Sequence, residues 1–305
     1  MRKQCSPSGI FACCALLAAV IFPIHPATAG TACVWRVTNA AAPCYLVGTI
    51  HALSGRDYPL PAPYYQALKE SQQFYFEVAP DPKSEADFGK KWDSATTYDA
   101  GDDIRHHIHP KTWAFLEKKL RISNYLGHDF HFGEHYVKDM MNLRPWAIAS
   151  YVWGIRGYND VYAQHGVDRF ISYRAMRAGK PCDGLETATQ HVDVLAGMAD
   201  IDSELVLLDA LVRGDQRRDD FNQMRDAWKH GDVEKLAALE KRERDLNLGG
   251  EIRLLDYRNL RWIPKIDAAF KSGRATAIVT GAAHFCGPNN VRELLEKHGY
   301  KIEQL

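Results

Sequence analysis

The chain has 305 residues with 38 basic and 38 acidic side chains, so its formal charge is zero when histidine is neutral. That balance gives no basic face and no case for nucleic acid as a partner. Seven cysteines occur, none in a C-x-x-C spacing, which excludes a zinc knuckle and a thioredoxin-like redox motif.

Arg2 and Lys3 precede an apolar run from Ile10 to Phe22, and Ala27-Thr28-Ala29 before Gly30 forms a small-x-small cleavage pattern. Residues 1–29 therefore read as a signal peptide. The run is shorter than the roughly 20 apolar residues that span a bilayer, so no membrane span is expected in the mature chain. Cleavage moves the formal charge to about minus two and leaves residues 30–305, a length that suits a single α/β domain. Export to the periplasm or beyond the cell follows from this reading.

Cys33, Cys44, Cys182 and Cys286 survive cleavage, and an even count in an exported chain is compatible with disulfides. Cys33 to Val37 and Cys44 to Val47 flank Thr38 to Pro43, the turn region of a hairpin. A tight turn at Thr38-Asn39 gives facing residues a constant sum of 77 and sets Cys33 opposite Cys44. The longer loop from Thr38 to Pro43 gives 81 and sets Cys33 opposite Gly48. A Cys33–Cys44 bridge requires the tight turn or an equivalent bulge, because a slip in register re-aims every side chain.

Tyr45 to Ile50 is an apolar, β-branched run carrying Gly48, with His51 after it. Pro59 to Pro63 is stiff and extended, Tyr64 to Ser71 reads as a short helix, and Gln73 to Val78 is an aromatic strand carrying Glu77. From about residue 84 to 272 the pattern is largely helical. It is interrupted near Lys180 to Glu186 by a turn, a short strand and a second lone carboxylate, Glu186. Lys229 to Leu248 alternates acids and bases like a solvated helix face. Leu254 to Ser272 carries Arg258 and is expected to kink at Pro264. Ala277 to Gly281 is a second apolar strand, ending in Gly281-Ala282-Ala283-His284. Pro288 is expected to open a helix through Lys297, and Tyr300 to Gln304 closes the chain as a strand. The result is an α/β fold, a mixed central sheet built from both chain ends with a long helical insert at about 84–272.

Two Gly-x-x-His motifs thus follow buried-type strands at Gly48–His51 and Gly281–His284, where open α/β sheets bind their ligands. The competing reading is a pair of ordinary strand-end histidines bonded to backbone. Two His and one Glu from separate strands suit a divalent ion with positions left for water and substrate. Taken singly, Glu77 suits an ion pair with a base such as Arg258, and Glu186 suits a helix N-terminus. His131-Phe132-Gly133-Glu134-His135 is a literal H-x-x-E-H, but Gly133 and the preceding His128-Asp129-Phe130 speak against the helix that this motif needs. His106-His107-Ile108-His109 reads as a polar loop.

The chain resembles the TraB/GumN family of exported bacterial proteins, to which the TIKI-type metalloproteases are related. The matching pieces are Tyr45 to His51, Phe76-Glu77, Arg144-Pro145-Trp146, Gly166-Val167-Asp168, Gly179-Lys180, Gly184 to Thr187, Gln190, Arg258-Asn259, Gly281 to His284, Leu294-Leu295 and Gly299-Tyr300. The resemblance implies an erythromycin-esterase/ChaN-like fold and a metal-dependent peptidase centre. It implies His51, His284 and Glu77 as ligands of Mn, Co or Zn. Glu77, Glu186 and Arg258 would be catalytic, Glu186 taking a proton and Arg258 stabilising an oxyanion. A peptide or small-molecule substrate follows. Two departures are Phe285 to Asn290 after the second His, and Val78 to Pro80 before Asp81. Alternatives from other classes are a non-catalytic module for haem or a signal peptide, and a metal-free esterase-like hydrolase with a histidine base.

Overall fold

The structure is a computed structural model describing residues 31–120, 137, 140–156, 161–213 and 216–305. The H-x-x-E-H segment lies outside these residues, as do residues 1–29. Six strands form one sheet: β1 (Val34–Val37), β2 (Cys44–Thr49), β3 (Gln73–Val78), β4 (Cys182–Glu186), β5 (Thr276–Gly281) and β6 (Ile302–Gln304). Their spatial order is β4-β3-β5-β2-β1-β6. The four strands from β4 to β2 run parallel, while β1 and β6 are antiparallel additions at one edge. Every residue of β2 and β5 is buried, as expected of strands covered on both faces by helices.

One feature of this order governs the site. β5, late in the chain, inserts between β2 and β3, so the two Gly-x-x-His strands are direct neighbours in the register Gly48↔Thr280 and Thr49↔Gly281. All four parallel strands deliver their C-terminal ends to one edge. The turn after β2 is pinned by Tyr64 Oη and Trp228 Nε1, which donate to the Gly48 carbonyl at 2.7 and 2.8 Å. Their rings lie 5.5 Å apart in the core.

Helices fill the intervals. Pro82–Thr96, Pro110–Leu120, Pro145–Arg156 and Val167–Arg177 precede β4, and Ala188–Ala196, Asp200–Arg213, Arg217–Lys229, Val233–Leu246 and Tyr257–Lys271 precede β5. One apolar cluster surrounds the sheet around Trp35, Phe74, Trp262 and Phe285. A second lies among the helices around Leu116, Trp146 and Leu207. The helix expected from Pro288 starts later, at Val291, because Gly287 and Asn289 take positive φ of 70° and 53°. Asn290 then caps it, its Oδ1 accepting from Glu293 N–H at 3.1 Å. The charged stretch from Lys229 to Leu248 is divided, since Gly231 at φ 65° turns the chain and Asp232 caps the helix Val233–Leu246.

The Cys33–Cys44 bridge is not formed. The hairpin pairs Val34 with Val47 and Val37 with Cys44, the register of the long loop, and Cys33 accepts from Gly48 N–H at 2.8 Å. Cys44 lies four residues from Gly48 along β2, about 13 Å at the usual strand rise, whereas a disulfide needs Cα atoms within about 7 Å. The four described cysteines are free thiols. Asn39 decides the register. Its amide donates to the Gly299 carbonyl at 2.8 Å and its Oδ1 accepts from Lys301 N–H at 2.8 Å, so it is taken up by the approach to β6 rather than by a tight turn. Non-reducing peptide mapping is expected to recover no peptide linking Cys33 to Cys44; recovery of that pair would contradict the register.

Candidate functional site

Glu77 is the next-to-last residue of β3 and points to the C-terminal edge of the sheet. Its Oε1 accepts from Gly281 N–H, at the end of β5, at 2.8 Å. From either side, His51 Nε2 and His284 Nε2 each stand 3.8 Å from that same oxygen. The other oxygen, Oε2, accepts from Arg258 Nη2. Glu186, which ends β4, accepts from the same guanidinium, Nε at 3.0 Å and Nη2 at 2.8 Å. His51, Glu77, Glu186, Arg258 and His284 are therefore brought together, while Cys33 and Cys44 are structural residues elsewhere in the sheet.

Arg258 is placed by a turn of π-helix at Ile252–Asp256 that runs into the helix Tyr257–Lys271. Such a turn shifts the helical phase and commonly marks functional sites. Every nitrogen of the guanidinium is engaged, since Nη1 donates to the Leu254 carbonyl at 3.1 Å and to His284 Nε2 at 3.2 Å. Arg258 Cζ also sits 4.7 Å from the centre of the Trp262 ring. The structure shows a cation that organises two carboxylates and a histidine.

The two histidines are held differently. His284 Nδ1 donates to Asn259 Oδ1 at 2.6 Å, which leaves its Nε2 as the acceptor of the Arg258 Nη1 hydrogen at 3.2 Å. Burial and the neighbouring Arg258 charge push its pKa down to about 3, so the ring is neutral. His51 Nδ1 lies 3.3 Å from Asp168 Oδ1, and its ring is 65% exposed to the surrounding cleft. Desolvation by the cleft walls opposes charge on His51, but Asp168 and Glu77 outweigh it and raise the pKa to about 9. Asp168 is delivered by a close approach: a Cβ on Gly166 would run into the His51 carbonyl, and Val167 N–H donates to the Ile50 carbonyl at 2.9 Å. Burial opposes the charge on Glu77, but Arg258 holds its carboxyl well below the ordinary range. Glu186 is lowered against burial by His191 and Arg258.

His191, Asp168 and Asn259 are the residues whose roles sequence reasoning missed. His191 Nδ1 donates to Glu186 Oε1 at 2.8 Å and lies 4.0 Å from Glu77 Oε2. Its only signal is a place one residue after Gln190, in the Thr187 capping box of the helix Ala188–Ala196. Asp168 and Asn259 lie in segments that carry the family resemblance, but only the fold shows which ring each one holds. The His106 and His107 loop is a separate surface cluster in which Asp102 pairs with both rings at 2.8 Å.

Two cavities, of about 840 and 480 Å3, meet at Thr49, His51, Glu77 and His191. Among the described residues, no three His, Cys, Asp or Glu already stand as a metal-holding group. Nitrogen and oxygen ligands at about 2.1 Å from one tetrahedral ion lie about 3.4 Å apart, a few tenths of an ångström inside the two 3.8 Å separations. The donor chemistry fits a cation. Both histidines have an Nδ1 partner and turn Nε2 to one carboxylate oxygen, the second-shell arrangement of metal-bound histidine. With neutral rings, the three carboxylates Glu77, Glu186 and Asp168 outnumber Arg258 by two charges. Thr49 Oγ1 and Thr280 Oγ1, buried in the cavity wall, have no hydrogen-bond partner among the described residues, nor has Asp168 Oδ1 beyond its ionic contact with His51.

A scan of family models matches the TraB/PrgY/gumN family over residues 33–304, nearly the whole chain, and the protein belongs to that family. No curated protein and no solved structure matches it.

Replacing Asp168 by Asn removes the charge beside His51 and is expected to move its pKa from about 9 toward the ordinary value of about 6.5, read by NMR titration of metal-free protein. Because the folded ring binds its proton more tightly than the unfolded one, His51 contributes stability that is complete below about pH 6.5 and lost as pH rises through about 9. Asp168→Asn should therefore lower Tm at pH 6 and converge on wild type near pH 10. Equal differences at both values would show that Asp168 acts only through packing.

Proposed function

We propose that this member of the TraB/PrgY/gumN family is an exported, divalent-metal-dependent hydrolase that cleaves peptides. The observation that carries the reading is the convergence of His51 Nε2 and His284 Nε2 on Glu77 Oε1, each at 3.8 Å, with both rings held from behind. His51, His284 and Glu77 would hold Mn, Co or Zn, and the surplus of two negative charges is what a divalent ion neutralises. When bound, the ion supplies Lewis acidity to a substrate carbonyl and acidifies a water.

The chain's own residues do the rest. Asn259 and Asp168 fix the two Nδ1 positions and so aim both Nε2 atoms. Arg258 keeps Glu77 and Glu186 ionised. Arg258 Nη1, which donates to His284 Nε2 at 3.2 Å, would be the donor offered to an oxyanion once that nitrogen is taken up otherwise. Glu186 and His191, joined at 2.8 Å, form a carboxylate–imidazole pair able to accept and pass a proton at the edge of the cleft. Export rests on Arg2, Lys3, the apolar run and the cleavage pattern ending at Ala29.

Purified wild type is expected to bind close to one divalent ion per chain and to cleave peptides with it. His284→Ala should lose the ion and lower cleavage about 100-fold or more. Metal content and turnover unchanged in that variant would refute the reading. A second measurement follows from the histidines: at pH 7.5 metal loading should release close to one proton per ion, from His51, because His284 is already neutral. Asp168→Asn, which lowers the His51 pKa and keeps the imidazole, should reduce the release, as followed with a pH indicator in weak buffer.

A further inference from the structure

The smaller of the two cavities differs in character from the larger. Its walls are the helices Arg217–Lys229 and Val233–Leu246 and the π-turn, and they present Phe221, Met224, Leu236, Leu239, Leu254 and Leu255. Phe221 and Leu236 belong to the core cluster, yet Met224, Leu239 and Leu254 are only half-buried, with surface remaining toward the chamber. Its polar end is the site itself, His51, Glu77, Arg258 and His284. At its rim the charges are already matched: Arg242 with Asp220 at 2.7 Å, Arg213 with Glu243 at 2.7 Å, and Arg244 with Glu240 at 2.7 Å. A charged group entering from a substrate would lose its hydration beside carboxylates and guanidiniums that already hold one another; of their atoms, Arg242 Nε and Glu240 Oε2 are buried without a hydrogen-bond partner among the described residues. The larger cavity has Glu85, Gln164, Arg169 and Tyr173 in its lining, beside the apolar Phe88 and Met176.

We infer that the chamber is the specificity pocket of the proposed hydrolase and takes one large apolar side chain, of leucine or phenylalanine type, next to the bond that is cut. The inference rests on the peptidase reading and adds what that reading leaves open: the kind of residue recognised and the wall that recognises it. A volume of about 480 Å3 lies within the usual range for ligand cavities. Because both cavities include His51 and Glu77, a peptide whose apolar residue fills the chamber continues through the site into the larger, more polar cleft. The geometry therefore suits cleavage within a chain at an apolar residue.

The test uses internally quenched peptides that differ at one position, Ala, Leu, Phe, Asp or Lys, with the divalent ion supplied and the cut bond located by mass spectrometry. Bonds flanked by Leu or Phe should show kcat/KM at least about tenfold above Ala, as extra methylenes in an apolar pocket allow, with Asp and Lys below Ala. Met224→Trp narrows the chamber and should lower the Leu-to-Ala ratio. Leu239→Ala enlarges it and should shift preference toward the largest side chains; it also serves if the tryptophan variant does not fold. Cleavage by wild type with no side-chain preference, or ratios unchanged in variants that still bind metal, would overturn the chamber and leave the hydrolase reading standing. Failure of metal-loaded wild type to cut any peptide would overturn both.

Discussion

The site is built around one buried cation. Arg258 is only 5% exposed, and a guanidinium so placed must be matched in charge and in hydrogen bonds. Its partners come from three parts of the sheet edge: Glu77 from β3, Glu186 from β4 and His284 from just beyond β5. Taking away one member of such a buried set leaves the others uncompensated, which typically costs about 3–5 kcal/mol. The strand ends and the guanidinium therefore hold one another in place. The support behind Arg258 is also continuous. Asp256, at the end of the π-turn, accepts from Arg244 at 2.8 Å and from Asn289 Nδ2 at 3.0 Å. Asn259, one residue past Arg258, donates to the Asn289 carbonyl at 3.0 Å while accepting from His284. The helix start and the loop after His284 behave as one unit.

Much of this was legible in the sequence. Apolar runs ending in Gly marked β2 and β5, and a carboxylate in an aromatic run left Glu77 as either a water-facing edge residue or a buried group with a partner. The Glu77–Arg258 ion pair was among the readings weighed, and it is formed. What the sequence could not supply was adjacency. Two Gly-x-x-His strands can share a sheet without touching, and only the insertion of β5 between β2 and β3 makes them neighbours. The hairpin register was open for the same reason. Both alternatives follow from the residues between Val37 and Cys44, but the choice is made by Asn39 bonding to Gly299 and Lys301 near the other end of the chain. The start of the last helix was misplaced because Pro288 outweighed Gly287 and Asn289, whose left-handed backbones keep the chain turning before Asn290 caps it. His191 had no pattern to betray it, since its relation to Glu186 depends on where β4 ends and the next helix begins.

The two histidines share a motif but not an environment, and that difference organises the cleft. His284, 4% exposed, is fixed by a neutral amide and faces a guanidinium, so its charged form is disfavoured twice, by burial and by Arg258. His51, 65% exposed, is backed by a carboxylate and faces another, so its charged form is favoured when no other cation is near. One wall of the site, formed by Arg258, Asn259 and His284, is thus set in the core before anything binds. The other, formed by His51 and by Asp168 on the helix Val167–Arg177, lies where the two cavities meet and carries the proton that Asp168 and Glu77 favour. A site with two buried histidines of the first kind would present bare lone pairs but be closed to substrate. One with two of the second kind would be open but protonated. Pairing them places a neutral imidazole against the core and a titrating one at the opening, with Glu77 Oε1 between.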